Sequence, residues 1–246
     1  ATVVNLTNKE RNDLTITSTF GGVSAGELVA GDDIAVSANG LVNITGIALT
    51  TGAAAMGGES DISIVTPGDV SVNMVDAFGN FRVNSASLLA SGSIIAGEDV
   101  DLLTTGAITT QAISAGDDVL ATSNSGNITI LSATARGTGP DDGMGDADVV
   151  IRSTSGAITL GAAMSNDEIV LSTAGNITAN NLTTTGVGLG LDAAANRSNI
   201  IIDSGAVVLI DTINSQTSLA VRGASITASN LTAGEDIALS ASGDIS

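Results

Sequence analysis

The sequence predicts an all-β fold, a right-handed parallel β-helix of about eleven coils of about nineteen residues each, with three sheets around an aliphatic interior. Three observations predict it. Apolar anchors recur in one register along the 246 residues. Each anchor opens a short apolar–variable–apolar run, as in Ile34-Ala-Val36 or Ile128-Thr-Ile130, the period-2 signature of a strand with one buried face. Between the runs lie Gly, Ser, Asn and Asp, residues that accept tight turns.

The first anchor stands at Leu14, Ile34, Ile62, Phe81, Val100, Val119, Val149, Ile169, Ile200, Leu219 and Ile237, and most steps are 18 to 20 residues. A second follows at Val23, Val42, Val70, Leu88, Ile108, Ile128, Ile158, Ile177, Val207, Ile226 and Ile245. A third follows at Leu28, Ile47, Val75, Ile94, Ile113, Ala133, Ala163, Leu182, Ile213 and Leu231. Stacking each anchor on its counterpart one coil away turns three short strands per coil into three sheets, and a spacing of about 4.8 Å makes the rod about 50 Å long. The handedness of parallel crossovers selects the right-handed form.

Three coils are longer than the rest. From Ile47 to Ile62, Ala133 to Val149 and Leu182 to Ile200 the gaps are 15, 16 and 18 residues, where six is usual. The insertions, residues 50–60, 135–147 and 183–198, all fall at the corner between third and first strands. Loops on one edge of a solenoid often carry binding, although a surface loop also accepts insertion freely. The chain is read as one β-helical segment, residues 1–246.

Composition agrees. Hydrophobic residues make up 43%, nearly all Ala, Val, Ile and Leu, with three Phe and no Trp, Tyr, His or Cys. Small and β-branched side chains suit a thin strand stack. A net charge of −19 repels phosphate backbones and anionic lipid, which argues against nucleic acid or a membrane surface as partner. Mean hydropathy of +0.40 argues against disorder. No apolar run approaches the length of a membrane span, and no signal peptide opens the chain.

Charge gathers at the corner that holds the insertions. The residue before the first anchor is Asp13, Asp33, Asp61, Asn80, Asp99, Asp118, Asp148, Glu168, Asn199, Ser218 or Asp236, and one position earlier come Asp32, Glu98, Asp117, Asp167 and Glu235. Like charges about 4.8 Å apart repel by about 0.9 kcal/mol per neighbour even at the dielectric of water, so something offsets the repulsion. One reading is that each carboxylate accepts backbone N–H bonds from its own turn. The other is a ladder of oxygen-rich Ca²⁺ sites along Asp32, Asp33, Asp99, Asp117, Asp118 and Asp236. The loop Gly139-Pro-Asp141-Asp142-Gly-Met-Gly-Asp146-Ala-Asp148 is the densest candidate, with Asp141, Asp142, Asp146 and Asp148 as ligands. It lacks the closing Glu of an EF-hand and the Gly-Gly-x-Gly-x-Asp pattern of calcium-binding nonapeptides. A solvated acidic loop is its simpler explanation. No cofactor is required.

Other chemistries fit less well. Sequons at Asn43, Asn127, Asn176, Asn181 and Asn230 fall on the repeat, where Asn suits a turn and Thr an outward strand position. A polysaccharide-cleaving β-helix enzyme needs converging carboxylates and aromatic or basic residues to hold the sugar. Here the basic residues Lys9, Arg11, Arg82, Arg136, Arg152, Arg197 and Arg222 are scattered, and the paired acids repeat from coil to coil. The chain is therefore read as a non-enzyme. An ice-binding plane needs a double Thr file, and only the single file Thr109, Thr129, Thr159, Thr178 and Thr227 recurs.

The run Leu231-Thr-Ala-Gly-Glu-Asp-Ile-Ala-Leu-Ser-Ala-Ser-Gly-Asp-Ile245, with Ala115-Gly-Asp-Asp-Val119, Gly126-Asn-Ile-Thr129 and Gly175-Asn-Ile-Thr178, resembles the repeats of filamentous haemagglutinin-like exoproteins. Related repeats occur in autotransporters and other large surface proteins. The resemblance covers essentially the whole chain and implies a long right-handed β-helical adhesin of Gram-negative bacteria, exported unfolded through an outer-membrane partner, which would also explain the absence of Cys. The family's amino-terminal secretion domain has no counterpart here, Arg222-Gly223 is followed by Ala224 and not by Asp, and no toxin-like domain follows. An open apolar cross-section needs a cap, so the chain is expected to be a segment of a longer protein or a subunit whose ends meet other copies. The resemblance implies an extracellular or cell-surface shaft that attaches to host or neighbouring-cell glycans and proteins, or builds fibres and biofilm matrix by self-association. A calcium-dependent matrix or surface-layer component is the alternative.

Overall fold

The computed structural model describes residues 4–8, 13–52, 60–137, 147–186 and 199–246. The chain is a parallel β-helix. Its first anchors open eleven short strands stacked in chain order into one sheet: Leu14–Ser18, Ile34–Ala38, Ile62–Val65, Phe81–Ser85, Val100–Thr104, Val119–Ser123, Val149–Ser153, Ile169–Thr173, Ile200–Ser204, Leu219–Gly223 and Ile237–Ala241. The expected register holds without a slip in this sheet, from Leu14 on Ile34 through Val100 on Val119 to Leu219 on Ile237.

The second and third anchors do not form separate sheets. In most coils they share one long strand, such as Ile108–Ala115 or Ile128–Ala135, and these strands hydrogen-bond into a single second sheet. The three inward faces are nevertheless present. Along Ile108–Ala115, Ile108 and Thr110 point inward, Gln111 and Ala112 both face outward, and Ile113 and Ala115 point inward again. Two consecutive outward residues interrupt the period-2 alternation, so the strand turns a corner while its bonds to the next coil continue. Among the described residues one coil splits there, into Leu88–Ala90 and Ile94–Ala96 around Ser91-Gly92-Ser93.

Two anchors are shifted by one residue. Val208, fully buried, and not Val207, stacks between Ile177 and Ile226. Ala48, and not Ile47, stacks between Leu28 and Val75, and Ile47 lies beside Met74. Both sites sit in runs of adjacent apolar residues, Ala206 to Ile210 and Ile47 to Leu49. Such runs have no phase of their own, and the neighbouring coils choose it.

The interior is a set of aliphatic files with one aromatic, Phe81. Full burial of each Val, Leu or Ile contributes about 1.5–3 kcal/mol. The insertions leave at one corner, where the long-strand sheet hands over to the short-strand sheet. Gly52 and Gly137 hold positive φ of 64° and 62° at two of the exits, a conformation that costs a side chain about 1–2 kcal/mol.

Candidate functional site

The acidic corner is a continuous ladder. The backbone N–H of each first anchor from Leu14 to Leu219 donates forward to the carbonyl of the column residue one coil on, as Leu14 does to Asp33 at 2.7 Å and Val119 to Asp148 at 2.8 Å. The column residue's own N–H points the other way, and a side-chain oxygen of the preceding coil accepts it. The Asp61 N–H donates to Asp33 Oδ1 at 2.9 Å, Asn80 to Asp61 at 2.8 Å, Asp99 to Asn80 at 3.1 Å and Asp118 to Asp99 at 3.2 Å. The ladder continues from Asp148 to Asp118 and from Glu168 to Asp148, both at 2.8 Å. Asn199 Nδ2 then donates to Glu168 Oε1 at 3.1 Å, and the Ser218 N–H to Asn199 Oδ1 at 3.3 Å. Asp33, Asp61, Asp99, Asp118 and Asp148 thus accept an N–H from the next coil, where the sequence suggested a donor in their own turn. Charged acceptors on backbone donors are stronger than neutral ones and offset part of the repulsion.

The preceding column is tied in as well. Ser60 Oγ donates to Asp32 Oδ1 at 3.2 Å, and Asn80 Nδ2 to Glu98 Oε2 at 3.0 Å. Asp117 is buried, with its N–H on the Glu98 carbonyl at 3.2 Å. Gly116, beside it in the Ala-Gly-Asp-Asp motif, has no room for a side chain, because a Cβ would lie 1.8 Å from the Gly97 carbonyl oxygen. Asp236 continues the column in the last coil, its carbonyl accepting from the Leu219 N–H at 2.9 Å.

Burial sets the electrostatics. At Asp148 it raises the carboxyl from 3.8 to about 7, outweighing the bond from the Glu168 N–H, while Asp118, Asp167 and Glu168 push the same way. Asp33 is raised for the same first reason, against the Asp61 N–H, with Asp32, Asp13 and Asp61 adding to it. Asp101 is raised by burial against the opposing charge of Arg82, with Asp99 adding to the rise.

Of the four proposed loop ligands, Asp148 is the one described. Asp141, Asp142 and Asp146 lie outside the described residues. Among the described residues no group of three His, Cys, Asp or Glu side chains is arranged to hold a metal ion, and Asp33, Asp99, Asp118 and Asp148 are each engaged by a backbone N–H.

Hydroxyls pin the insertions where they meet the coil. Thr50 Oγ1 donates to the Ser60 carbonyl at 2.7 Å, closing the first, and accepts the Phe78 N–H at 2.9 Å. The Phe78 ring lies over Gly52, where a Cβ would come within 2.5 Å of it. In the third, Thr184 Oγ1 accepts the Gln216 N–H at 3.0 Å.

A second ladder, not anticipated from sequence, runs along the corner after the short strands. Ser123 Oγ donates to the Gly106 carbonyl of the preceding coil at 2.7 Å and accepts the Gly126 N–H at 2.9 Å. Ser153 repeats this on Gly126 and Gly156, and Ser204 on Gly175 and Ala206. The signal was present. Four residues after the first anchor stand Thr66, Ser85, Thr104, Ser123, Ser153, Thr173 and Ser204.

The sequon residues Asn127 and Asn176 belong to a third, shorter file, their Oδ1 atoms accepting the Ala157 and Val207 N–H at 2.8 and 3.2 Å. The outward Thr file stacks Thr109, Thr129, Thr159 and Thr178 in register, but Leu89 precedes it and Leu209 separates it from Thr227.

Comparison with protein-family models, curated proteins and solved structures finds no match.

Proposed function

We propose that this chain is a structural, adhesive shaft of a large secreted or surface-anchored bacterial filamentous protein, serving attachment or extracellular fibre formation. The observation that carries the reading is repetition. The inward faces and the acidic and hydroxyl corner files bear the same type of residue in coil after coil, and many of the corner side chains are spent on bonds between coils. An active site would break the pattern once, by converging acid, base or nucleophile on one coil. The corner ladders stiffen the stack, and stiffness and reach are what a shaft supplies. Recognition of glycans or proteins then belongs to the corner carrying residues 50–60, 135–147 and 183–198, the place where coils differ.

Electron microscopy of the purified chain should show a rod about 50 Å long. Cells displaying the chain should bind a host or matrix surface, and replacing the three insertions with the usual six-residue connection should remove that binding while the rod persists. A globular particle, or polysaccharide cleavage by the pure chain, would refute the reading.

A calcium-dependent matrix or surface-layer component is the second reading, favoured by the half-buried carboxyl of Asp148 beside Asp118 and Glu168. Calcium would hold such a group ionised. A melting midpoint that is the same with calcium and with chelator eliminates it.

A further inference from the structure

The hydroxyl file behind the short strands is broken in the second coil, where Ala38 stands four residues after the anchor Ile34. In three turns of the same length, the N–H two residues after the file residue is held by the file hydroxyl: Gly68 on Thr66 Oγ1, Gly175 on Thr173 Oγ1 and Ala206 on Ser204 Oγ, each at 3.0 Å. The equivalent N–H here belongs to Gly40. Ala38 offers it no acceptor, and among the described residues no other group takes it. Between the two stands Asn39, exposed at the corner, and Asn39-Gly40 is the one Asn-Gly pair in the sequence. The Asn39 main chain is fixed, its N–H donating to the Ser18 and Gly21 carbonyls at 3.0 and 3.1 Å, whereas its side-chain amide makes one long contact, to the Thr19 carbonyl at 3.5 Å.

We propose that Asn39-Gly40 is a self-modification site, where the folded chain slowly converts the Asn39 side-chain amide to a carboxylate through a cyclic imide. The Gly40 nitrogen gives its proton to solvent base and attacks Asn39 Cγ. The N–Cγ bond forms, the Cγ–Nδ2 bond breaks, and ammonia leaves after taking a proton from water. Water then opens the ring. Opening at Cγ leaves aspartate at that position, and opening at the Asn39 carbonyl carbon leaves an isoaspartyl link, with the main chain running through the former side chain. No electrons change hands, and water is the co-reactant. Two features of this turn favour the first step. A nitrogen whose N–H has an acceptor is harder to ionise, because that bond stabilises the neutral form, and the hydroxyl that supplies the acceptor in the other turns is missing here. Glycine puts no side chain over the attacking nitrogen and leaves its backbone room to turn toward Cγ.

Asn124 is the contrast within the same molecule. It is exposed at the same corner, but the N–H that follows it, of Ser125, is held by the Thr105 carbonyl at 3.0 Å, in a turn whose file hydroxyl, Ser123, is in place. At the second coil the isoaspartyl link adds a main-chain carbon between Asn39, bonded back to Ser18 and Gly21, and Gly40, whose carbonyl accepts the Thr66 hydroxyl at 2.6 Å. The modified corner then no longer fits the coils on either side.

Incubation of the full chain in mildly alkaline buffer below its melting transition, and in parallel in guanidinium chloride, tests this by peptide mapping with mass detection and isoaspartyl methyltransferase labelling. Asn39 should convert in the folded chain, giving aspartyl and isoaspartyl products together. Its folded rate, taken relative to its rate in denaturant, should exceed the same ratio for Asn124 by about tenfold. Ala38→Ser, the residue of the Ser204 turn, should slow conversion in the folded chain by about two- to tenfold, the kinetic equivalent of one added hydrogen bond, with the melting midpoint unchanged or raised and the rate in denaturant unchanged. Ala38→Thr, as at Thr66 and Thr173, should do the same. Conversion of Asn39 in denaturant alone overturns the proposal, as does a folded-to-unfolded ratio no greater than that of Asn124. So does an Ala38→Ser chain of unlowered midpoint that deamidates as fast as the parent.

Discussion

Asp148 and Asn80 occupy the same column and accept the same kind of bond, one with a carboxylate and the other with an amide. The amide does the structural work without a charge. Because burial lifts the Asp148 carboxyl to about 7, the folded chain holds a proton there that the unfolded chain releases near 3.8. Stability from this group is present below pH 4 and is lost as pH rises through 7. Asp148→Asn keeps the acceptor for Glu168 and removes the penalty. It should raise stability at pH 8 by on the order of 1–2 kcal/mol, after allowing for solvent screening of a half-buried group, and change little at pH 4; denaturant titrations at the two pH values check this. Thr110 presents the opposite case. Its hydroxyl is buried without a hydrogen-bond partner, stacked between Ala90 and Ile130. Thr110→Val keeps the shape and removes the unmet polar atom, so the melting midpoint should rise, with a gain of about 1 kcal/mol.

At the scale of the element, a coil of one short and one bent long strand has no independent stability, and its corners decide whether it stacks. The serine and threonine file behind the short strands shows how. Thr66, Ser123, Ser153, Thr173 and Ser204 each satisfy a turn N–H within their own coil and a turn carbonyl one coil away, so local turn and stacking are closed by one atom, while Ser85 and Thr104 donate within their own turn. Ser123→Ala should leave the Gly126 N–H short of a partner, while Thr104 Oγ1 still reaches the Gly106 carbonyl, and cost about 1–3 kcal/mol, whereas Ser123→Thr should cost much less, since Thr66 and Thr173 make the same pair of bonds. Urea unfolding of the two variants separates the lost bond from a packing effect. The bent long strand is the other device. In strands such as Ile108–Ala115 and Ile128–Ala135 the outward pair turns the corner without glycine and the pairing resumes in the same register, whereas Gly26, Gly46 and Gly161 stand at the bend in other coils.

Taken as a whole, the molecule is quasi-one-dimensional: each coil contacts only the coils on either side. Damage should stay local. Ile128 is fully buried between Ile108 and Ile158, and Ile128→Ala should cost about 2–5 kcal/mol. Hydrogen exchange should then accelerate in the strands Ile108–Ala115 and Ile158–Ser165 well before Ile34–Ala38. Uniform acceleration along the rod would instead mean that the stack unfolds as one unit. The charge of −19 is also distributed at this scale. Much of it lies along one corner, where it is fixed into the backbone ladder.

The sequence by itself determined the solenoid, its register and the corner that carries the insertions, because identical residues recurring every coil leave one way to bury every anchor at once. All eleven first anchors were legible for that reason. It also marked the acidic column, though not the direction of its bonds. What only the tertiary structure decided lies where local pattern is degenerate. Val207 and Val208 are the same residue in one apolar run, and stacking on Ile177 and Ile226 chooses between them. A strand that bends and two strands that meet have the same alternation in sequence, so the merging of the second and third faces became visible only in the hydrogen bonds. The N–H partners of Asp61, Asp99 and Asp118 are likewise in another coil, nineteen or more residues away, and such a partner can be assigned only when the coils are laid one on the next.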